Sequence, residues 1–128
     1  MVGISDTLMR ELGGTVPRRT EPKPLCLKVG ARIRELRTER GMSLQDLAEA
    51  GALSKGHLSS IEQGLAAITI ETVERIAAAL GVSPFCVITF PEDDELDRIA
   101  DLARKLPKGE RRKLRKELEG RTTHEPPA

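Results

Sequence analysis

With 128 residues, 38% of them hydrophobic and 32% charged, the chain holds material for one core with appendages and too little for two domains of ordinary size. Two phenylalanines and no tryptophan or tyrosine exclude an aromatic stacking platform for single-stranded nucleic acid. A net charge of +1 excludes a basic field: residues 1–23 carry four basic and three acidic side chains, 24–91 seven of each, and 92–128 ten of each. Attraction to phosphate would have to come from a few placed charges.

No apolar run approaches the roughly 20 residues that span a bilayer. The first turns contain Asp6, Arg10 and Glu11 where a secretory signal needs an apolar stretch. No membrane contact and a cytoplasmic location are therefore expected. Cys26 and Cys86 lie 60 positions apart, with no CxxC and only His57 and His124 to join them. They read as buried or idle thiols, and neither a disulfide framework, a metal site nor a cofactor is expected.

In chain order, Ile4, Leu8 and Leu12 recur at four-residue spacing and predict an apolar helical stripe that Gly13 and Gly14 end. The stretch 15–24, TVPRRTEPKP, reads as an extended linker because of its three prolines. A first helix is predicted over Lys28 to Arg40, with Val29, Ile33 and Leu36 on one face and Gly41 after it. A second follows, capped by Ser43 with Asp46 three residues on, its apolar face Leu44, Leu47 and Ala48, its end at Gly51.

The third helix is SKGHLSSIEQG, Ser54 to Gly64, with Ser54 as its cap. A fourth runs from Thr69 through Ile70, Val73, Ile76, Ala77 and Leu80 to Gly81. Ser83 and Pro84 signal a fifth, short helix, with a short strand over CVITF as the alternative. Beyond Pro91 come a charged amphipathic helix, about Glu92 to Leu106, and after Pro107 and Gly109 a second from Glu110 to Glu119. The tail GRTTHEPPA is predicted to be disordered.

Placing residues of the third helix about 100° apart puts Leu58 and Ile61 on the core side and Gly56, Ser59, Ser60 and Gln63 on the open side. Lys55 and His57 flank its N-terminal end. Two short helices joined by a tight turn, the second exposing polar groups, suit the roughly 12 Å major groove of B-DNA. Glu62 falls beside the core, where a carboxylate needs a cation, and Arg37 of the first helix is the natural partner.

The segments IRELR, Leu47-Ala48, Leu58 with Ile61, IEQG and IAAALGVSP, all within residues 27–90, strongly resemble the Xre-type helix-turn-helix family, which includes the lambda-type phage repressors and Cro. The resemblance implies an all-α fold, a five-helix lambda-repressor-like domain, with the third helix as recognition helix. It places Lys55, Gly56, His57 and Ser60 where relatives contact bases or neighbouring phosphates, and Ser43 and Gln63 where they touch the backbone. Ser54, heading the recognition helix, belongs to the same DNA-facing set. Arg37 and Glu62 match a family ion pair. For His57 the residues leave open a phosphate bond, cover for the core edge, or neither.

Three positions depart from the family pattern. Ala52 stands where the family has a turn glycine, so the turn is either shifted or holds an alanine under strain. Leu44 replaces a phosphate-binding glutamine, and apolar Leu65 to Ile68 replaces a loop that is often basic. Fewer phosphate contacts mean weaker, less salt-dependent binding, and few informative side chains on the helix mean some reliance on DNA shape.

The sequence thus predicts an arm and linker over 1–24, a helix-turn-helix domain over 25–91, a helical oligomerisation extension over 92–120 and a disordered tail over 121–128. Leu96, Ile99, Leu102 and Leu106, with Leu114 and Leu118, are expected to form the interface of a homodimer. Ile4, Leu8 and Leu12 either cover that stripe or extend the dimer. No serine, cysteine and histidine cluster, no carboxylate pair beside an apolar pocket and no phosphate-cradling glycine loop points to an enzyme. The expected function is sequence-specific binding of double-stranded DNA by a transcriptional regulator of bacterial or phage type, acting as a dimeric repressor. The alternative is a module that binds a regulatory protein partner, using the apolar loop Leu65 to Ile68.

Overall fold

A computed structural model of the chain describes residues 21–123, which contain seven helices and no strand. These are α1 (Pro24–Glu39), α2 (Leu44–Ala50), α3 (Lys55–Glu62), α4 (Ile70–Leu80), α5 (Pro84–Val87), α6 (Glu95–Arg104) and α7 (Lys108–Thr122). The stripe of Ile4, Leu8 and Leu12, most of the linker, and the tail from His124 lie outside the described residues. The chain divides into two compact units between Ile88 and Thr89.

In the first unit α1 contacts α3 and α5, α2 contacts α3 and α4, and α4 contacts α5. The core consists of Val29, Ile33 and Leu36 from α1, Leu47 and Ala48 from α2, Leu58 and Ile61 from α3, Val73, Ile76, Ala77 and Leu80 from α4, and Val87 from α5. Each fully buried aliphatic side chain stabilises by about 1.5–3 kcal/mol relative to exposure, so helices of two or three turns, marginal alone, hold one another in place. Gly30 sets the closest approach. A Cβ there would stand 2.5 Å from the carbonyl oxygens of Ile61 and Glu62, so only glycine lets α1 lie against the end of α3.

Side-chain caps start the helices. The Ser43 hydroxyl accepts from the Asp46 N–H and the Asp46 carboxylate accepts from the Ser43 N–H, both at 3.0 Å, a closed capping box. The Ser43 backbone N–H first, then its hydroxyl, holds the Asp46 carboxyl below its ordinary value of 3.8. The box therefore stabilises fully above that value and loses its ionic component as pH falls below it, through the lowered value of the folded state. Ser54 caps α3 through the His57 N–H at 3.0 Å, and Thr69 caps α4 through the Thr72 N–H at 3.1 Å.

The four helices α1 to α4 all end alike, on a residue in the left-handed region whose N–H, with the next, closes on carbonyls of the last turn. Glycine fills that place three times, Gly41 at φ 69°, Gly64 at 76° and Gly81 at 71°, and Ala52, at 55°, fills it after α2. The Ala52 and Leu53 N–H groups bond Glu49 and Ala48 at 3.2 and 2.8 Å. Of the two readings of the turn, alanine under strain holds, and the turn has not shifted.

Several boundaries differ from expectation. The first helix begins at Pro24 rather than Lys28, because proline lacks only an N–H that the first turn leaves unpaired and already has helical φ. CVITF is no strand: Pro84–Val87 forms one helical turn capped by Ser83. α6 is shorter than expected, Lys105 and Leu106 closing onto Leu102 and Ala103 by tighter bonds of 3.2 Å. α7 is longer at both ends and runs through Gly120 to Thr122, into the stretch predicted to be disordered. Arg115 bridges Glu119 at 2.6 Å and the Thr122 hydroxyl donates to the Glu119 carbonyl at 3.0 Å, carrying the helix past the glycine.

In the second unit the Asp97 carboxylate, in the first turn of α6, accepts from the Phe90 N–H at 2.8 Å, and Arg98 Nε donates to the Pro91 carbonyl at 3.3 Å. No residue of α6 or α7 is buried. No described helix is long and apolar enough to cross a membrane.

The strained turn yields a test. Left-handed φ costs a non-glycine residue about 1–2 kcal/mol, and glycine returns part of that through greater unfolded-state entropy. Ala52→Gly is expected to stabilise the first unit by about 0.5–1 kcal/mol, seen as a higher urea midpoint at unchanged m-value.

Candidate nucleic-acid interface

On α3, Leu58, Ile61 and Glu62 are buried, whereas Lys55, Gly56, His57 and Gln63 are exposed and Ser59 is half-buried. The Gln63 amide donates to the Ser59 hydroxyl at 3.0 Å, fixing both side chains on the open side. Ser60, expected to face outward, is 9% exposed. A helical wheel takes no account of the chain beyond the helix end, where the Leu65 N–H folds back onto the Ser60 carbonyl at 2.9 Å. A serine side chain on an eight-residue helix that contacts both α1 and α2 is too short to project past its surroundings.

Ser43 and Ser54 stand at helix N-termini, Ser43 exposed and Ser54 likewise open to solvent. Each hydroxyl accepts from its own helix, and that of Ser54 keeps its hydrogen available to a further acceptor. Gly56 has open space around it, with nothing within 4 Å of where a Cβ would stand. Packing therefore does not require glycine there, and glycine inside a helix costs roughly 0.5–1 kcal/mol relative to alanine. The loop Leu65 to Ile68 is partly covered, with Ala66 buried.

The frame behind this face is ionic. The Glu62 side chain is 2% exposed and receives Arg37 Nε at 2.8 Å and Nη2 at 3.0 Å, a two-pronged pair. Arg37 Nη1 donates to the Met42 carbonyl at 3.0 Å, extending the pair to the α1–α2 turn. The Glu62 hydrogen bond raises the Arg37 guanidinium above its ordinary value, so it stays charged wherever the fold persists. The structure thus brings Arg37 and Glu62 together. It adds Arg34, whose Nε reaches Glu62 Oε1 at 3.3 Å. Sequence reasoning missed that residue, although its place three before Arg37 on one helix face was a signal.

Other cations of the first unit are also engaged by the fold. Arg32, buried, donates to the Cys86 carbonyl at 2.9 Å and pairs with Glu35. Arg40 donates to the Leu80 carbonyl at 2.8 Å, and Arg75 reaches the Ala52 carbonyl at 3.4 Å. Lys55, at the start of α3, has no such partner among the described residues and projects from the open face. Cys26 and Cys86 are both half-buried. No three His, Cys, Asp or Glu side chains among the described residues are grouped to hold a metal ion.

Of the residues expected to build the interface of a dimer, Leu96 and Leu102 are 69% and 61% exposed, Ile99 and Leu118 are exposed, and Leu106 and Leu114 are half-buried. In the second unit an open groove of about 370 Å³ is lined by Ala103, Leu114 and Leu118 with Arg111 and Arg115 beside them.

A helix-turn-helix family model matches residues 33–85, which run from inside α1 to the start of α5. The HTH-type transcriptional regulator SinR of Bacillus licheniformis is 37% identical over 70 residues, 54% of this chain and 63% of that protein. An uncharacterized HTH-type transcriptional regulator, y4dJ of Sinorhizobium fredii, is 35% identical over 66 residues, 52% of this chain and 84% of that protein. Among solved structures, the clp gene regulator ClgR from C. glutamicum superposes with a TM-score of 0.50 at 33% identity, over 55% of this chain and 90% of that one. The chain belongs to the helix-turn-helix family of the Xre and lambda-repressor type. Its matched part spans less than two thirds of the SinR relative.

The ionic frame makes a quantitative prediction. Removing one partner of a buried pair costs about 3–5 kcal/mol, whereas replacing both by apolar groups costs far less. Glu62→Leu and Arg37→Met are each expected to lower the urea midpoint strongly, and the double variant to lose much less than the sum of the two.

Proposed function

We propose that this chain is a cytoplasmic, sequence-specific double-stranded DNA-binding transcriptional regulator that acts as a homodimer and represses by occupying its site, with α3 in the major groove. The observation that supports this best is the division of α3. Its buried face fixes it to α1 and α2, and its N-terminal half offers Lys55, Gly56 and His57 to a partner. Lys55 contacts a base edge or adjacent phosphate, His57 a phosphate, and the Gly56 backbone lies close to the groove wall. Ser43, Ser54 and Gln63 contact the backbone around it. Ser60, covered at its place in the fold, contributes less than Lys55.

Dimerisation is supported by α6 and α7. A helix that exposes Leu96, Ile99 and Leu102 beside an apolar groove leaves a surface whose burial against a second copy is favourable. Two copies would set two recognition helices about 34 Å apart, one turn of DNA. A second reading, binding of a regulatory protein, is favoured by the apolar loop Leu65 to Ile68 and by the arginines bonded within the fold.

Selection of bound sequences from a random duplex pool at low salt decides between them. The full chain is expected to enrich one motif, Lys55→Ala to relax or weaken it, and Ser60→Ala to change it less. A pool left unenriched by the wild type rules out groove reading in favour of a protein partner. Gly56→Ala should separate fold from function, raising stability by about 0.5 kcal/mol while weakening binding to the selected site. Leu102→Asp is expected to shift the dimer to monomer in sedimentation and to weaken operator binding, with the helices of the first unit intact.

A further inference from the structure

We propose that the solvent face of α7 is a second, sequence-independent phosphate-binding surface. This rests on the reading of the chain as a DNA-binding protein. Residues 108–122 carry seven basic and three acidic side chains, whereas residues 24–91 carry seven of each. The first unit also turns most of its arginines onto its own carbonyls and carboxylates, leaving Lys55 on the open face of α3. Among the described residues, basic side chains with no partner are concentrated instead on α7.

Their placement is regular. Lys108, Arg112 and Lys116 stand four residues apart and share one side of the helix, with Lys113 extending it. All four are exposed, and none makes an ion pair or side-chain hydrogen bond among the described residues. Glu110 and Glu117 fall on the flank of this stripe at about 100° per residue, and Glu119 is engaged by Arg115. Like charges four apart destabilise a helix by about 0.2–0.5 kcal/mol per pair, so the stripe brings the fold no return. A polyanion would offset that repulsion. From Lys108 to Lys116 the helix rises about 12 Å, a length of duplex axis that carries about seven phosphate charges. An anionic membrane fits less well, because α7 has only Leu114 and Leu118 to insert and no aromatic residue.

The test uses the full chain and a variant in which Lys108, Arg112, Lys113 and Lys116 are all glutamine, a residue of similar helix propensity. Affinity is measured across a salt series for the selected duplex and for one of random sequence. The variant is expected to weaken both by the same factor, to leave the selected motif unchanged, and to reduce the slope of log K against log salt by about 3 per chain. Replacing the three lysines by arginine is expected to keep the slope, which shows that charge rather than helix integrity is read. A slope unchanged in the glutamine variant overturns the proposal while leaving groove reading intact. Charge-dependent binding of the wild type to phosphatidylserine vesicles with an unchanged duplex slope overturns it in favour of a membrane surface. A wild type that binds no duplex at all overturns both this surface and the DNA-binding reading.

Discussion

Helix α3 is held by one carboxylate. Glu62 lies on the buried side of α3 and takes both prongs of Arg37 and one of Arg34 from α1, while Arg37 also grips the Met42 carbonyl at the α1–α2 turn. Three consecutive helices are thereby referenced to one charged group. Gly30 makes the geometry possible, since any side chain there would push the last turn of α3 away from α1. A buried pair of this sort adds little net stability over apolar packing. What it supplies is direction, because a two-pronged guanidinium fixes orientation as aliphatic contacts do not.

The same economy of cations shapes the surface charge of the first unit. Arginines in the first unit tie helix ends to one another, Arg40 to Leu80, Arg75 to Ala52 and Arg32 to Cys86. Their hydrogen bonds stiffen the scaffold. What remains on the open face of α3 is Lys55, Gly56, His57, Ser59 and Gln63, with Ser54 at the start of the helix. Such a surface offers a partner shape and close approach more than field strength. The strongly cationic helix lies in the other unit, where nothing in the local fold calls for its charge.

Most of the first unit is legible in the sequence because its signals are local. Ser43, Ser54, Thr69 and Ser83 each start a helix by a hydrogen bond within three residues, and Gly41, Gly64 and Gly81 end three by a backbone angle that glycine adopts freely. The helical period of Val73, Ile76, Ala77 and Leu80 names a buried face without reference to any neighbour. Sequence and structure part where a local rule meets a wider context. Proline, a breaker by rule, opens α1, and glycine, a stop by rule, does not end α7 at position 120, where side-chain bonds carry the helix onward.

The sequence by itself determined the family, the order of helices and the partnership of Arg37 with Glu62, since capping, periodicity and a misplaced carboxylate all act over a few residues or declare their need for a partner. Only the tertiary structure decided that Ala52 takes the left-handed turn, that Arg34 joins the pair and that Ser60 is covered. Each of these depends on how distant segments approach one another. A helical wheel gives the direction of a side chain, but the depth of its surroundings is set by the helices and loops that pack around it.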